Sequence, residues 1–410
     1  MKKVMLLGAG AGQMPFLTIC KNKGYYVIAV SIAGNYPCFE VADKSYFVDT
    51  RNKEEILKIA QAENIDAIFT DQTDVSVPSV AYVAEKMNLR GIGYQTALKF
   101  TNKYLMRQAA KAAGIATPIF DKAANFDDAK IIAEKIGYPV IIKPVDSSGS
   151  RGVARLDSFE DLKANFDKAK NFSAAGEVII EKFIRGKEFL VDGYAMGGNY
   201  WNLDLGIKEQ FNLAGKYISK MCMFSSAARI TDSIGKKVLD TNKKLVTALG
   251  LKLGITHAEF LYNFEENEVY PVDIAARGGG VYLSSDLTPY ASGFNTNKAL
   301  IDYLVEGKEK FVGSLDNKVA AWIGFALPEG KISKIAGVEE LSKIPGVFKI
   351  DLDDIYIGKK TKKLDSDAEK CGPILIKAAS ENECRQIMER VKATLKITVQ
   401  TARGAESQIW

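Results

Sequence analysis

One stretch, residues 138–153 (YPVIIKPVDSSGSRGV), constrains the fold most because it joins a predicted buried strand to a glycine-rich loop. The apolar run 140–142 predicts the strand, Lys143 ends it, and Pro144 cannot donate a ladder hydrogen bond. In the loop 147–152 the glycines let backbone N–H groups approach an anion, and the strand-end lysine adds a positive charge. The stretch predicts a phosphate-binding loop; a glycine-rich turn beside a surface lysine is the alternative. It is not a Walker A loop, because no Gly-Lys-Ser/Thr opens a helix here.

The first hundred residues alternate between predicted strands and helices. The strands are predicted at 4–7, 26–30, 67–70 and 91–93, and two of the helices at 14–23 and 75–87. Alternation with short links predicts a parallel, doubly wound sheet, so the fold class is α/β. Asn52 and Glu55 have the spacing of a capping box at the start of a further helix.

Two features of this first segment bear on ligands. Gly8-x-Gly10-x-Gly12 departs from the Gly-x-Gly-x-x-Gly pattern, and Ser31 instead of an acid follows the second strand, which argues against a nicotinamide site. Asp71 and Asp74 follow the third predicted strand, at the edge where open α/β sheets bind ligands. They are candidates for holding a non-nucleotide substrate, and turn or cap carboxylates are an equal alternative.

A carboxylate hairpin is predicted near residue 266. The segment 257–262 alternates, a second strand is predicted at 268–276, and an acidic bend lies between them. A hairpin centred there puts Glu259 directly opposite Asp273, with Cβ atoms about 4.5–5.5 Å apart. Two like charges at that distance repel unless a cation lies between them, and Mg²⁺ takes oxygen ligands. A surface hairpin with spare acids is the alternative, and the apolar neighbours count against it.

Four motifs occur in a fixed order along the chain. They are the Lys143 strand with its glycine loop, Glu181-Lys182-x-x-x-Gly186-x-Glu188, the strand carrying Glu259, and Asp273-x-x-x-Arg277-x-Gly-Gly. This series resembles the ATP-grasp superfamily, and most of all biotin carboxylase, phosphoribosylglycinamide synthetase and the amino-acid ligases. The likeness extends over nearly the whole chain, and the ordered set is more specific than any single motif.

The resemblance implies a role for each matching residue. Those implied to hold ATP phosphates are Lys103, Lys143, Ser148, Gly149, Ser150 and Gly152, with Lys208 added on a looser alignment. The hinge 181–184 (Glu181, Lys182, Phe183, Ile184) is implied to bind adenine through its backbone and apolar side chains, and Glu188 to bind the ribose hydroxyls. Glu259 and Asp273 are implied to bind Mg²⁺ (or Mn²⁺). Arg277 and Lys143 are the implied catalytic residues, Arg277 by steadying the transferring phosphoryl group or the acyl substrate.

The chain departs from the family at one point of this motif. Many members have Glu-x-Asn-x-Arg, whereas this chain has Asp273 and Ala275 before Arg277. A shorter acid and a missing amide weaken the expectation of two tightly bound metal ions. The single histidine, His257, lies on the predicted carboxylate face; a packing or hydrogen-bonding role is favoured over a catalytic one.

The resemblance also implies the domains and the reaction. Residues 1–97 are expected to form a Rossmann-like domain without the ATP, 98–311 the ATP-grasp domain with an α+β lid at 117–190, and 312–410 a small C-terminal α+β domain. ATP would phosphorylate a carboxylate, and an amine would displace phosphate to give an amide, ADP and phosphate. Two alternatives stay open: a carboxylase or purine-pathway enzyme that uses bicarbonate, formate or a ribosylamine, and an ATP-binding protein whose catalysis has decayed, which Ala275 motivates.

The composition of the chain bears on which kinds of binding partner are expected. Among 410 residues, 47% are hydrophobic, and the net charge of +5 is too mild and dispersed to favour nucleic acid or a membrane surface. The five cysteines contain no Cys-x-x-Cys pair and predict reduced thiols in a cytoplasmic protein. The expected partners are a small-molecule carboxylate and an amine, and a homodimer stays open.

Overall fold

The chain is described by a computed structural model over residues 1–211, 218–364 and 369–410. The strands are β1 Lys3–Leu7, β2 Tyr26–Ser31, β3 Lys44–Phe47, β4 Ala67–Phe69, β5 Phe120–Ala123, β6 Val140–Pro144, β7 Ala154–Leu156, β8 Val178–Lys182, β9 Lys187–Met196, β10 Asn199–Asn202, β11 Asp204–Gln210, β12 Ser219–Ser226, β13 Gly254–Asn263, β14 Glu268–Ala275, β15 Val319–Phe325, β16 Gly330–Ala336, β17 Val347–Ile350, β18 Lys360–Thr361, β19 Cys371–Ala378, β20 Lys396–Thr401 and β21 Gly404–Ser407. The helices are α1 Met14–Asn22, α2 Pro37–Val41, α3 Lys53–Glu63, α4 Val77–Lys86, α5 Tyr94–Thr101, α6 Lys103–Ala112, α7 Phe126–Ile136, α8 Phe159–Asn171, α9 Ser233–Leu249, α10 Thr288–Ser292, α11 Thr296–Glu306, α12 Val338–Leu341 and α13 Glu381–Thr394.

These elements fall into two compact units. The first consists of Met1–Asn202, Asp232–Ser285 and Asn295–Gly313. The second consists of Leu203–Thr231, Asp286–Phe294 and Ser314–Trp410. None of the helices in the described ranges has both the length and the apolarity needed to span a bilayer. The mixed α/β fold predicted from the sequence is confirmed.

The first unit begins with the predicted parallel sheet, whose order is β3-β2-β1-β4. The prediction of a strand at 91–93 is wrong: these described residues form a bend before α5, and Gly93 has φ 81°. The missed strand is β3, an edge strand whose sequence, Lys-Ser-Tyr-Phe, has no apolar run to mark it. Helix α3 starts as predicted, since Asn52 Oδ1 accepts from Glu55 N at 3.3 Å and Asn52 Nδ2 donates to Glu55 Oε2 at 2.8 Å.

Next in the first unit is a small antiparallel sheet of order β5-β8-β6-β7, with α7 and α8 packed on it. Its core contains the buried apolar residues Val140, Ile142, Leu162, Phe166 and Ile180. Ser158 and Asn125 cap the two helices, as their side-chain oxygens accept from Asp161 N and Asp128 N. This sheet therefore holds Lys143 and Glu181 on adjacent strands.

The first unit also contains antiparallel strands in the order β14-β13-β9-β10. The predicted hairpin register is confirmed, because Glu259 pairs with Asp273 and His257 with Ala275. An irregularity between Glu259 and Phe260 shifts the register on the turn side, where Phe260 pairs with Pro271. The two carboxylates lie on the regular side of that irregularity.

The second unit carries strands in the orders β11-β12-β15-β19-β17 and β18-β16-β20-β21. Helix α13 contributes Cys384, Ile387 and Val391 to a core shared with these strands. Strand β11 follows β10 closely along the chain, since β10 ends at Asn202 and β11 begins at Asp204.

Candidate active site

A buried ion triad forms around Glu181 in the first unit. Glu181 Oε2 lies 2.7 Å from Lys143 Nζ, and Glu181 Oε1 lies 2.5 Å from Arg107 Nε. Lys143 pairs with Ile179 and Glu181 with Ile141, so the two charged side chains are diagonal neighbours on one face of the sheet. All three side chains are buried, and Arg107 is only 1% exposed.

Burial alone would raise the pKa of the Glu181 carboxyl, but Arg107 and Lys143 outweigh it and lower the pKa to about 2. The carboxylate is thus ionised at neutral pH and holds two cations. Arg107 Nη2 also donates to the Val272 carbonyl at 3.1 Å. Helix α6 is therefore tied both to the hinge strand β8 and to the carboxylate strand β14.

The glycine-rich loop follows β6 and turns sharply. Gly149, Ser150 and Gly152 have φ values of 68°, 57° and 72°. A Cβ on Gly152 would lie 2.9 Å from Pro144 Cγ, so glycine is required there by both backbone angle and space. The Ser148 side chain helps to lower the pKa of Asp74, and Arg151 Nε donates to the Ser148 carbonyl at 3.0 Å.

Lys103 connects this loop to the carboxylate hairpin. It is the first residue of α6, which Asn102 caps by accepting from Tyr104 N and Leu105 N. Its ammonium donates to the Ser147 carbonyl at 2.8 Å and pairs with Asp273 Oδ2 at 2.8 Å. The residue predicted to contact phosphate from outside the loop thus lies beside the loop.

The two predicted metal carboxylates, Glu259 and Asp273, are cross-strand neighbours on β13 and β14. Asp273 Oδ1 accepts from Ile274 N at 3.0 Å, and Asp273 Oδ2 faces Lys103. Both carboxylates are half-buried. No group of three or more His, Cys, Asp or Glu side chains that could hold a metal ion is found in the described ranges, so this pair would need oxygens from another source to complete a metal site.

Arg277 is held by Asp74 from the first parallel sheet. Arg277 Nε donates to Asp74 Oδ1 at 2.9 Å, and Arg277 Nη2 donates to Asp74 Oδ2 at 2.8 Å. The remaining nitrogen, Nη1, donates to the Gly278 carbonyl at 2.8 Å. Burial would raise the pKa of Asp74, but Arg277 and Lys103 hold it below its ordinary value. Burial would likewise lower the pKa of Arg277, and Asp74 raises it. Both groups are thus charged at neutral pH.

Asp71, the other predicted acid of this sheet edge, is fully buried. It accepts from Gly278 N at 2.9 Å and from the Ser284 hydroxyl at 2.8 Å, and burial raises its pKa. A Cβ on Gly278 would overlap Asp71 and Ser284, so glycine is required at this close approach. Asp71 and Asp74 therefore hold the segment after β14 in place. The contacts of Asp71 do not support the prediction that it binds a substrate.

In the hinge, part of the backbone is already hydrogen-bonded. Lys182 N donates to the Ile119 carbonyl at 2.8 Å, and Phe183 N donates to the Pro139 carbonyl at 3.2 Å. The Lys182 ammonium donates to the Gly137 carbonyl at 2.8 Å. Glu188 lies on β9, opposite Leu261 of β13. The Phe183 ring stacks under the Arg155 guanidinium, with 4.4 Å from Arg155 Cζ to the ring centroid.

Two further residues were predicted for this site, Lys208 and His257. Lys208 lies on β11 of the second unit, opposite Cys222, and its role stays a prediction. His257 Nδ1 lies 3.1 Å from Asp192 Oδ1 across β13 and β9, which gives the histidine a hydrogen-bonding partner.

The most important residue missed from the sequence is Arg107. It lies four residues after Lys103 on α6, and the buried residues of that helix are Met106, Arg107 and Ala110. A charge on the apolar face of a helix must be paired when buried. That pattern was visible in the sequence, although the partner, Glu181, lies 74 residues away.

Comparison with known proteins relates two regions of this chain to described domain families. Residues 136–286 match the ATP-grasp domain family, and residues 324–400 match the L-amino acid ligase C-terminal domain 2. The chain is 28% identical over 284 residues to a formate-dependent phosphoribosylglycinamide formyltransferase of Wolinella succinogenes, covering 67% of this chain and 70% of that protein. It is 26% identical over 320 residues to alanine–anticapsin ligase of Bacillus subtilis, covering 72% and 65%.

A solved structure shares the fold over the whole chain. The crystal structure of an L-amino acid ligase from Bacillus licheniformis matches with a TM-score of 0.81 at 21% identity, covering 98% of this chain and 99% of that one. At this identity the match establishes the fold alone.

Proposed function

We propose that this chain, which belongs to the ATP-grasp superfamily of ADP-forming ligases, joins the carboxylate of an amino acid to an amine. The observation that carries the proposal is the order of two matches in one chain: an ATP-grasp domain at 136–286, then an L-amino acid ligase C-terminal domain at 324–400. The similarity to alanine–anticapsin ligase supports the same substrate class. ATP is the energy source that the family uses.

The cluster in the first unit suits phosphoryl transfer to a carboxylate. Lys103, Lys143 and the loop 148–152 would hold the triphosphate; the support is that Lys103 donates to the Ser147 carbonyl at the start of the loop and that Lys143 lies in the strand before it. Arg277, fixed by Asp74, would stabilise charge on the phosphoryl oxygens or the acyl group. An amine would then displace phosphate from the acyl phosphate. This route requires little side-chain acid–base chemistry, consistent with one histidine among 410 residues.

The opposed pair Glu259 and Asp273 fits a divalent metal ion. Two carboxylates on paired strands provide the hard oxygen donors that Mg²⁺ or Mn²⁺ prefers, and nucleotide oxygens would provide others. When bound, the metal would neutralise charge on the transferring phosphoryl group. Many members of the family have an asparagine where this chain has Ala275. Of the metal-binding side chains of the motif, this chain therefore keeps Glu259 and Asp273.

For the rest of the nucleotide, the proposal follows the motifs. The hinge 181–184 would bind adenine, Glu188 the ribose, and Lys208 a further phosphate. Because Lys182 N and Phe183 N already donate to protein carbonyls, adenine recognition would use other hinge groups, such as the Ile184 backbone. We further propose that the domains divide at 1–97, 98–311 and 312–410, with a lid at 117–190.

A second candidate function is formate-dependent formylation of phosphoribosylglycinamide. The observation that favours it is the 28% identity to the formyltransferase over two thirds of the chain. Both candidates form an acyl phosphate from a carboxylate, and they differ in the acid and the amine.

The test is a matrix of acids and amines assayed for ADP release, with products identified by mass spectrometry. All proteinogenic L-amino acids are offered in pairs, beside formate with glycinamide ribonucleotide. An ¹⁸O-labelled carboxylate should pass one ¹⁸O to the released phosphate, because the attacking oxygen leaves with phosphorus. Amide products with this transfer support the first candidate. Turnover only with formate and the ribonucleotide would replace it with the second, and absence of turnover with all pairs would contradict both.

Lys143→Met tests the proposed phosphate contact, and Lys122→Met is its matched control. Both remove a lysine of the small antiparallel sheet, but Lys122 pairs with Glu177 at an exposed site. Lys143→Met should lower turnover at least about tenfold through a lost charge-assisted contact. Lys122→Met should leave turnover unchanged.

A further inference from the structure

One ammonium group touches both halves of the proposed site. Lys103 Nζ lies 2.8 Å from the Ser147 carbonyl of the glycine-rich loop and 2.8 Å from Asp273 Oδ2 of the carboxylate hairpin. The Lys103 side chain is 11% exposed and the Asp273 side chain is 36% exposed, so solvent screens this pairing on the carboxylate side. A lysine ammonium has three donors, and these two contacts leave one for a phosphate oxygen.

Lys103 occupies a position on its helix where a positive charge is disfavoured unless an anion lies nearby. Lys103 is the first residue of α6, and the N-terminus of a helix carries a partial positive charge that disfavours a cation. The first turn of α6 contains no acidic residue to offset this charge. Asp273 supplies the nearby negative charge that the helix does not provide.

We propose that Lys103 couples metal binding to nucleotide binding because its ammonium competes with the divalent metal for Asp273. The inference rests on the proposed function, in which Glu259 and Asp273 hold the metal and the loop holds phosphates. A metal ion on Asp273 must approach a cation that already pairs with the same carboxylate, and the two repel. Phosphate oxygens relieve that repulsion by giving the ammonium and the metal a shared anion.

The consequence is reciprocal. If nucleotide increases the affinity for metal, metal increases the affinity for nucleotide by the same factor. Lys103 is the origin of that factor: it weakens metal binding without nucleotide and strengthens binding of the two together. Removing its charge should therefore tighten metal binding to the protein alone, even though it weakens nucleotide binding.

The test is calorimetric titration of Mn²⁺ into the full chain, with and without saturating ADP, so that no turnover occurs. Lys103→Gln should bind Mn²⁺ without ADP about tenfold more tightly than the parent, and the gain in Mn²⁺ affinity caused by ADP should fall about tenfold. Lys103→Arg keeps the charge and should resemble the parent. Lys111→Gln removes the same charge from the exposed last turn of α6 and should also resemble the parent.

A second variant keeps the inference testable if Lys103→Gln does not fold, as judged by its thermal unfolding midpoint. Asp273→Asn releases Lys103 and removes a negative charge, so ADP measured in a metal chelator should bind several-fold more tightly than to the parent. Unchanged Mn²⁺ affinity in folded Lys103→Gln, or unchanged metal-free ADP affinity in Asp273→Asn, would overturn the coupling role. Both readouts are binding constants. A chain with this coupling but no ligation would refute the proposed function alone, and ligation without the coupling would refute this inference alone.

Discussion

Replacing Glu181 by glutamine tests the buried triad most directly. The substitution keeps the size of the side chain but removes the carboxylate that lies 2.7 Å from Lys143 Nζ and 2.5 Å from Arg107 Nε. Two cations would then share a buried site without the carboxylate that pairs with both of them. Removing one partner of a buried ion pair costs roughly 3–5 kcal/mol, because an uncompensated charge remains.

The pKa of Glu181 gives an independent magnitude. A carboxyl whose pKa falls from its ordinary 4.5 to about 2 on folding contributes about 3 kcal/mol at neutral pH, at about 1.4 kcal/mol per pKa unit. Because the folded-state pKa is the lower one, this contribution is complete above pH 4.5 and is lost as the pH falls toward 2. Both routes predict that Glu181→Gln lowers the free energy of unfolding by about 3 kcal/mol or more at pH 7.

The assay is urea unfolding at pH 7 and at pH 4, compared with Glu177→Gln as the matched control. Glu177 pairs with Lys122 at 2.7 Å in the same sheet region, but those side chains are 27% and 39% exposed, and such pairs contribute about 0–1 kcal/mol. Glu181→Gln should cost far more than the control at pH 7, and the difference should shrink at the lower pH. Equal costs for the two variants, or a difference that grows on acidification, would refute the triad as a stabilising charged unit.

Three further predictions concern the site. Asp74→Asn should lower kcat/KM for the acid substrate about tenfold or more, because Arg277 loses a charge-assisted partner, while the dissociation constant for ATP changes little; steady-state kinetics and nucleotide titration check this. Gly152→Ala should lower the thermal midpoint more than Gly149→Ala, because both have positive φ but only Gly152 lacks room for a Cβ. Glu188→Ala should weaken the binding of ATP but hardly affect the binding of a ribose-free triphosphate. Equal losses of affinity in the two titrations would place Glu188 outside the ribose pocket.

The hairpin register could be predicted because local information determines it. Alternating apolar residues define which side chains face the core, and the acidic bend at 265–267 sets the centre of the turn. These two constraints placed Glu259 opposite Asp273, as observed. The irregularity after Glu259 was not foreseen, because Pro271 lies in a strand whose pattern alone does not reveal a shifted register.

The partners of charged groups could not be predicted in the same way. Arg277 and Asp74 are 203 residues apart, and no periodicity links a side chain to a partner in another sheet. The sequence identified both as candidates for ligand contact, yet the structure pairs them with each other. Similarly, β3 escaped prediction because an edge strand that is half-exposed needs no apolar run.

Helix α6 explains why these separate groups act at one place. Lys103 and Arg107 are four residues apart, so they lie on the same side of the helix one turn from each other. Lys103 contacts the loop and Asp273, and Arg107 contacts Glu181 and the carbonyl of Val272, the neighbour of Asp273. A displacement of α6 would therefore move the loop, hinge and hairpin contacts together. The buried pairing of Arg107 with Glu181 fixes the helix, and this keeps the ammonium of Lys103 within reach of both the Ser147 carbonyl and the Asp273 carboxylate.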